Sequence, residues 1–277
     1  MSASSEPPKL LNYQGNCHCG AFKFTLKSPE LKQAFACNCS ICSKNGYLWA
    51  FPASEEHFVI VKGDENSTLK TYEFGRRTMA HKFCPKCGTS VMARMHEAKN
   101  GQAIAVNIRA LSDVDPLSLA VLTSDGAAIE PLYQAKKPPA AEAPAEEGTH
   151  VYEGSCHCGA VTYTLRQTDE PISLLTMCNC SICSRDAALW IYPTTSSLTF
   201  DGLDSLKEYT FATNKTFHGF CEICGVAIRE RFEASPPLQS TPARYMGWIS
   251  HLRRSNTLTE RACCRFTKSE AEFRPKE

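Results

Sequence analysis

At 277 residues, with 43% hydrophobic and 21% charged side chains, the chain can bury a core as one large domain or two ordinary ones. Its 30 Lys and Arg against 29 Asp and Glu leave a net charge of +1, which gives no reason to expect nucleic acid or an acidic membrane as partner. There is no run of about 18 apolar residues and no apolar stretch in residues 1–9 to serve as a signal peptide, so a cytoplasmic protein with no membrane partner is expected.

The 16 cysteines fall in clusters. In chain order these are Cys17-His18-Cys19, then Cys37-Asn38-Cys39-Ser40-Ile41-Cys42, then Cys84-Pro85-Lys86-Cys87. Thiols this close converge on one centre more readily than they form separate bridges, so metal sites in a reducing compartment are expected over a disulfide framework. Between the clusters the signals favour strands. Residues 21–26 alternate apolar and polar for most of their length. Residues 48–52, 58–61, 69–74 and 103–108 are short, aromatic or β-branched, and bounded by turn residues. Helical periodicity is weak throughout.

Residues 134–149 are rich in Pro, Ala and charge and read as a semi-extended linker. Beyond them the series starts again with Cys156-His157-Cys158, then Cys178-Asn179-Cys180-Ser181-Ile182-Cys183, then Cys221-Glu222-Ile223-Cys224. Strand patterns recur at 160–165, 197–200 and 206–211, and flanking residues match, such as Leu48-Trp49 with Leu189-Trp190 and His81 with His218. A tandem duplication follows: one zinc domain over 11–133 and a second over 150–274, each mainly antiparallel β and held by metal knots. Whether the two units pack together or swing apart is left open by the sequence.

If no motif is split, CxC and CxxC make a closed set of four, the signature of structural zinc. The sets are Cys17, Cys19, Cys84 and Cys87, and Cys156, Cys158, Cys221 and Cys224. Three thiols remain in each unit: Cys37, Cys39 and Cys42, and Cys178, Cys180 and Cys183. Three protein ligands with an open position are the pattern of catalytic zinc, so four Zn2+ per chain are expected, two of them accessible. Alternatively, a fourth ligand closes each trio. The candidates are His57, His81 and His96 in the first unit, and His218, His251 and the Cys263-Cys264 pair in the second. His81 and His218, close to Cys84 and Cys221, also qualify as supports of the neighbouring closed zinc.

Gly15-Asn16-Cys17-His18-Cys19-Gly20-Ala21, the Cys37 to Cys42 block and Phe83-Cys84-Pro85-Lys86-Cys87-Gly88, with their second copies, resemble the glutathione-dependent formaldehyde-activating enzyme family, which includes centromere protein V. The resemblance implies a zinc fold of the β-tent kind. It implies structural zinc at the CxC and CxxC thiols and catalytic zinc at Cys37, Cys39 and Cys42 and at Cys178, Cys180 and Cys183. It also implies a carbon–sulfur lyase that joins glutathione and formaldehyde. The family often has basic residues after the third cysteine. Here each copy has one, Lys44 or Arg185, read as a solvated charge or as a partner for a substrate carboxylate. The tail of the second unit, around residues 246–254, resembles the family poorly.

Two functions follow. The leading one is a zinc-dependent lyase or synthase acting on a thiol, glutathione-like, and an aldehyde or other carbon electrophile. The alternative is a non-catalytic zinc scaffold that binds another protein through an exposed apolar patch, with Trp49 and Trp190 as candidates.

Overall fold

Phe24 and Leu26 are fully buried while Lys23 and Lys27 face solvent, as the two-residue period requires of a strand with one wet face. They belong to a computed structural model that describes residues 8–99, 102–139, 145–168, 172 and 175–233, and the backbone of 245–248 and 253–254. The first repeat runs β1 (Leu11–Asn16), β2 (Lys23–Ser28), β3 (Gln33–Cys37), α1 (Ser40–Asn45), β4 (Trp49–Ala50), β5 (Phe58–Lys62), β6 (Lys70–Tyr72), β7 (Met79–Phe83), β8 (Ser90–Lys99), β9 (Gln102–Asn107) and β10 (Ala120–Ser124). These strands make two sheets, β1-β2-β5 and β10-β3-β4-β9-β8-β7-β6. Pairing is antiparallel except for β10 on β3, which run parallel from Ala120 opposite Gln33 to Ser124 opposite Cys37.

The second repeat runs β11 (His150–Ser155), β12 (Thr162–Gln167), β13 (Thr176–Met177), α2 (Ser181–Asp186), β14 (Leu189–Ile191), β15 (Leu198–Asp201), β16 (Leu206–Thr210), β17 (Thr216–Cys221), β18 (Ala227–Phe232), β19 (Tyr245–Trp248) and β20 (Arg253–Arg254). Its sheets, β15-β12-β11-β20 and β13-β14-β19-β18-β17-β16, repeat the strand order of the first, except that β20 is added beside β11 and no counterpart of β10 is present among the described residues. The mainly β, duplicated architecture expected from the sequence is the one observed. The tail of the second repeat keeps in backbone the place of its first-repeat counterpart: β19 lies between β14 and β18 as β9 lies between β4 and β8. No helix among the described residues is long and apolar enough to cross a membrane.

The two repeats pack on each other. One core cluster is built almost wholly from the first repeat, around Phe22, Phe24, Leu26, Met92 and Ile104. A second joins Ile41, Cys42, Tyr47 and Trp49 of the first repeat to Val161, Tyr163, Val226 and Ile228 of the second. Each such side chain contributes about 1.5–3 kcal/mol by leaving water. The contacts are reciprocal, as in an isologous interface. Gly88 lies against Phe220, and its counterpart Gly225 lies against Phe83. Both positions have positive φ, +76° and +74°, which glycine adopts without strain.

Lys44 and Arg185 correct an expectation. Lys44 is only 5% exposed and its Nζ donates to the Ser155 carbonyl at 2.9 Å. Arg185 Nε donates to the Asn16 carbonyl at 3.4 Å. Asn16 and Ser155 are equivalent residues, each just before the first CxC cysteine. The two bases are therefore neither solvated charges nor free substrate ligands: they tie each triad helix to the opposite repeat.

Candidate metal centres

A CxC turn after β1, and a CxxC turn between β7 and β8, bring Cys17, Cys19, Cys84 and Cys87 together. In the second repeat the same turns gather Cys156, Cys158, Cys221 and Cys224. In the first tetrad Cys19 Sγ lies 3.6 Å from both Cys17 Sγ and Cys84 Sγ, and in the second Cys158 Sγ lies 3.5 Å from Cys156 Sγ and 3.6 Å from Cys221 Sγ. A zinc with four thiolates at its usual bond length has sulfur–sulfur edges of about 3.8 Å, whereas a disulfide would need about 2 Å. All fourteen clustered cysteines are free thiols.

Each remaining trio is made by one strand end and one helical turn. β3 delivers Cys37. Cys39 caps α1, and Cys42 follows one turn later on the same face. Cys178, Cys180 and Cys183 repeat this at α2. In each trio the sulfurs lie within 4.8 Å of one another, and no fourth His, Cys, Asp or Glu among the described residues joins them. The Cys37 thiol is held down to about 2 because Cys39 and Cys42 donate to it, and Cys42 is pushed well up beside that thiolate. Likewise Cys183 holds Cys180 down to about 5 while its own thiol is pushed up. Left to itself, each trio thus favours one ionised thiol over several. Three thiolates in this space need a cation among them, so the donor sets fit the ion that the spacing predicted.

The surroundings complete the picture. Trp49 Nε1 donates to Cys42 Sγ at 3.4 Å, and Trp190 Nε1 to Cys183 Sγ at 3.3 Å. Both indoles are buried, so they form no exposed patch. The segment after β10 covers the first trio: Gly126 is so close that a Cβ there would strike Cys37 Sγ. Asn38 fixes this segment through Asp125 Oδ1 and the Ala127 N–H, each at 2.8 Å.

The candidate fourth ligands are placed elsewhere. His57 lies near Ser54 Oγ, and His96 pairs with Glu73 at 2.6 Å. His81 does not serve the neighbouring tetrad. Strand alternation along β7 turns it toward Tyr47, on which it stacks, and Trp49. Its Nδ1 is buried without a partner, and burial lowers its pKa to about 4. His218 lies 3.9 Å from Glu230, whose carboxyl burial raises to about 7. His251, Cys263 and Cys264 lie outside the described residues.

Two histidines that the sequence reading passed over reach the trios from the opposite repeat. His157 places Nε2 2.8 Å from Ser40 Oγ and Nδ1 2.7 Å from Tyr72 OH. His18 places Nε2 2.8 Å from Ser181 Oγ and Nδ1 3.0 Å from Tyr209 OH. The signal was present, since both copies read Cys-His-Cys, but nothing in one strand-end motif says which repeat the ring enters.

Against known proteins, a family model described as glutathione-dependent formaldehyde-activating enzyme matches residues 12–121 and again 151–260. A curated relative from Halomonas elongata, named "Putative glutathione-dependent formaldehyde-activating enzyme", is 31% identical over 83 residues. That match takes in 28% of this chain and 53% of the relative, so the chain spans about half the length of the curated relative it matches. A solved structure of a Rhodobacter sphaeroides protein is 29% identical, covers 40% of this chain and 99% of its own, and superposes with a TM-score of 0.35.

Proposed function

Because the chain belongs to the glutathione-dependent formaldehyde-activating enzyme family, we propose that it is a zinc-dependent carbon–sulfur lyase or synthase. It makes or breaks the bond between a thiol, glutathione-like, and an aldehyde or similar carbon electrophile. Its domains are 11–133 and 150–274, joined by the linker 134–149, and each carries one reactive trio. The observation that carries this reading is the trio itself, built twice with no fourth protein ligand among the described residues.

Cys37, Cys39 and Cys42, and likewise Cys178, Cys180 and Cys183, would hold a zinc ion, which would supply Lewis acidity that lowers the pKa of a thiol substrate. The chain's own residues do the rest. Trp49 and Trp190 draw electron density from Cys42 and Cys183 through their N–H groups, which weakens those sulfurs as donors. Gly126 leaves room for Cys37 beneath the covering segment. The orphaned Nδ1 of His81 offers one buried polar partner to a substrate oxygen. In the synthetic direction the sulfur–carbon bond forms, the carbonyl becomes a hydroxyl, and the proton lost from sulfur is balanced by one gained on oxygen. The scaffold reading loses support, since the two tryptophans it would expose are core residues.

Metal analysis tests this. Four zinc ions per chain are expected, two of them released readily to a chelator, and a total of two would overturn the reading. Cys39→Ala with Cys180→Ala should abolish turnover of glutathione and formaldehyde while circular dichroism stays native. Cys84→Ala should instead unfold the first repeat and, through the shared core, destabilise the second.

A further inference from the structure

We infer that each trio is a composite site: the histidine lodged in the closed tetrad of one repeat positions the open trio of the other. This rests on the reading of the trios as metal sites and goes beyond it, because it couples the four centres crosswise.

His157 lies between Cys156 and Cys158, yet its ring does not face its own repeat. It is 3% exposed and enclosed by first-repeat rings: Tyr133 stacks on it at 4.3 Å, and Phe74 meets it at 4.4 Å. Tyr133 OH also donates to the His157 carbonyl at 2.7 Å. Its two ring nitrogens are then both engaged, by Tyr72 OH and by Ser40 Oγ. Ser40 follows the ligand Cys39 and opens α1. The same two hydrogen bonds recur reciprocally around a half-buried ring: His18, from the first tetrad, meets Phe211 at 4.3 Å, Tyr209 OH and Ser181 Oγ, and Ser181 follows Cys180.

Two independent copies of one contact, each crossing the interface, argue against an accident of packing. A ring held by an aromatic box and two hydrogen bonds has one orientation, and it transmits that orientation to the first residue of the trio's helix. The backbone of His157 is itself pinned by the metal-binding turn of its own repeat. The closed tetrad of the second repeat therefore organises the trio at Cys37, Cys39 and Cys42. The closed tetrad of the first organises the trio at Cys178, Cys180 and Cys183. His157 and His18 are positioning residues.

The test reads zinc release to a chromogenic chelator from the full-length, zinc-loaded protein. In a Cys180→Ser background only the first trio remains as a fast-releasing site, and in a Cys39→Ser background only the second. His157→Ala should speed release from the first trio on the order of 10-fold, the lower end of the range for a lost partner of a metal ligand, because His157 acts one residue away, through Ser40. It should leave the second trio unchanged, and His18→Ala should give the mirror result. Ser40→Ala alters no residue of the second repeat and should reproduce the effect at the first trio, while His157→Gln, which keeps a side-chain hydrogen bond, should restore part of it. Equal effects of His157→Ala on both trios, or none at the first, would overturn the crosswise coupling. If the unmutated protein has no fast-releasing zinc at all, the reading of the trios as metal sites fails, and this inference fails with it.

Discussion

The indole N–H of Trp49 and of Trp190 ends on a cysteine sulfur, and that sulfur is in each case the third of its trio. A donor to a charged sulfur is worth about 1.5–3 kcal/mol and acts on the ion through its ligand. His81 lies beside this pair, buried and neutral. Its folded pKa is lowered to about 4 from 6.5, so below pH 6.5 the unfolded chain takes up a proton that the folded chain refuses. Stability from this group is full above pH 6.5 and is lost as pH falls toward 4, by on the order of 3 kcal/mol. Denaturant unfolding of His81→Phe between pH 7 and pH 4.5 should therefore show a shallower loss than the parent protein. Glu230 slopes the other way, because burial raises its pKa to about 7 from 4.5 and its contribution falls as pH climbs through that window.

Among the elements, the parallel pair β10 and β3 has the clearest role in the site. It ends where Cys37 begins, and the chain then turns over the trio at Gly126. Gly126→Ala should lift this turn, break the Asn38 contacts and speed zinc loss from the first trio several-fold, with the second trio unaffected, as a chelator assay would read. The clusters were legible in the sequence because metal ligands in a turn are neighbours in the chain. The β2 and β12 patterns were legible because alternation is local. α1 and α2 were not: six residues make too little of a helix to show a 3.6-residue period. β4 shrinks to two residues just before Phe51-Pro52, where proline has no N–H to offer a sheet. The β10–β3 pairing and the destinations of Lys44, Arg185, His18 and His157 depend on contacts between segments far apart in the chain, and no local pattern encodes those.

For the whole molecule, the shared cluster of Trp49, Tyr47, Tyr163 and Val226 means that neither half keeps its full core without the other. The zinc-loaded protein should unfold in one calorimetric transition, with calorimetric and van't Hoff enthalpies equal. Two separated transitions would show that the halves are thermodynamically independent. The midpoint of the interface is marked by Gly46 and Ala187, equivalent residues that end α1 and α2 with left-handed φ of 55° and 51° and touch each other. A methyl on Gly46 would collide with the methyl of Ala187. Two second halves brought together in this way would suffer that same clash, whereas one of each kind fits like a peg in a notch. At its centre, then, the contact is not neutral between its two sides: it accepts one bare backbone and one methyl, and it refuses two methyls.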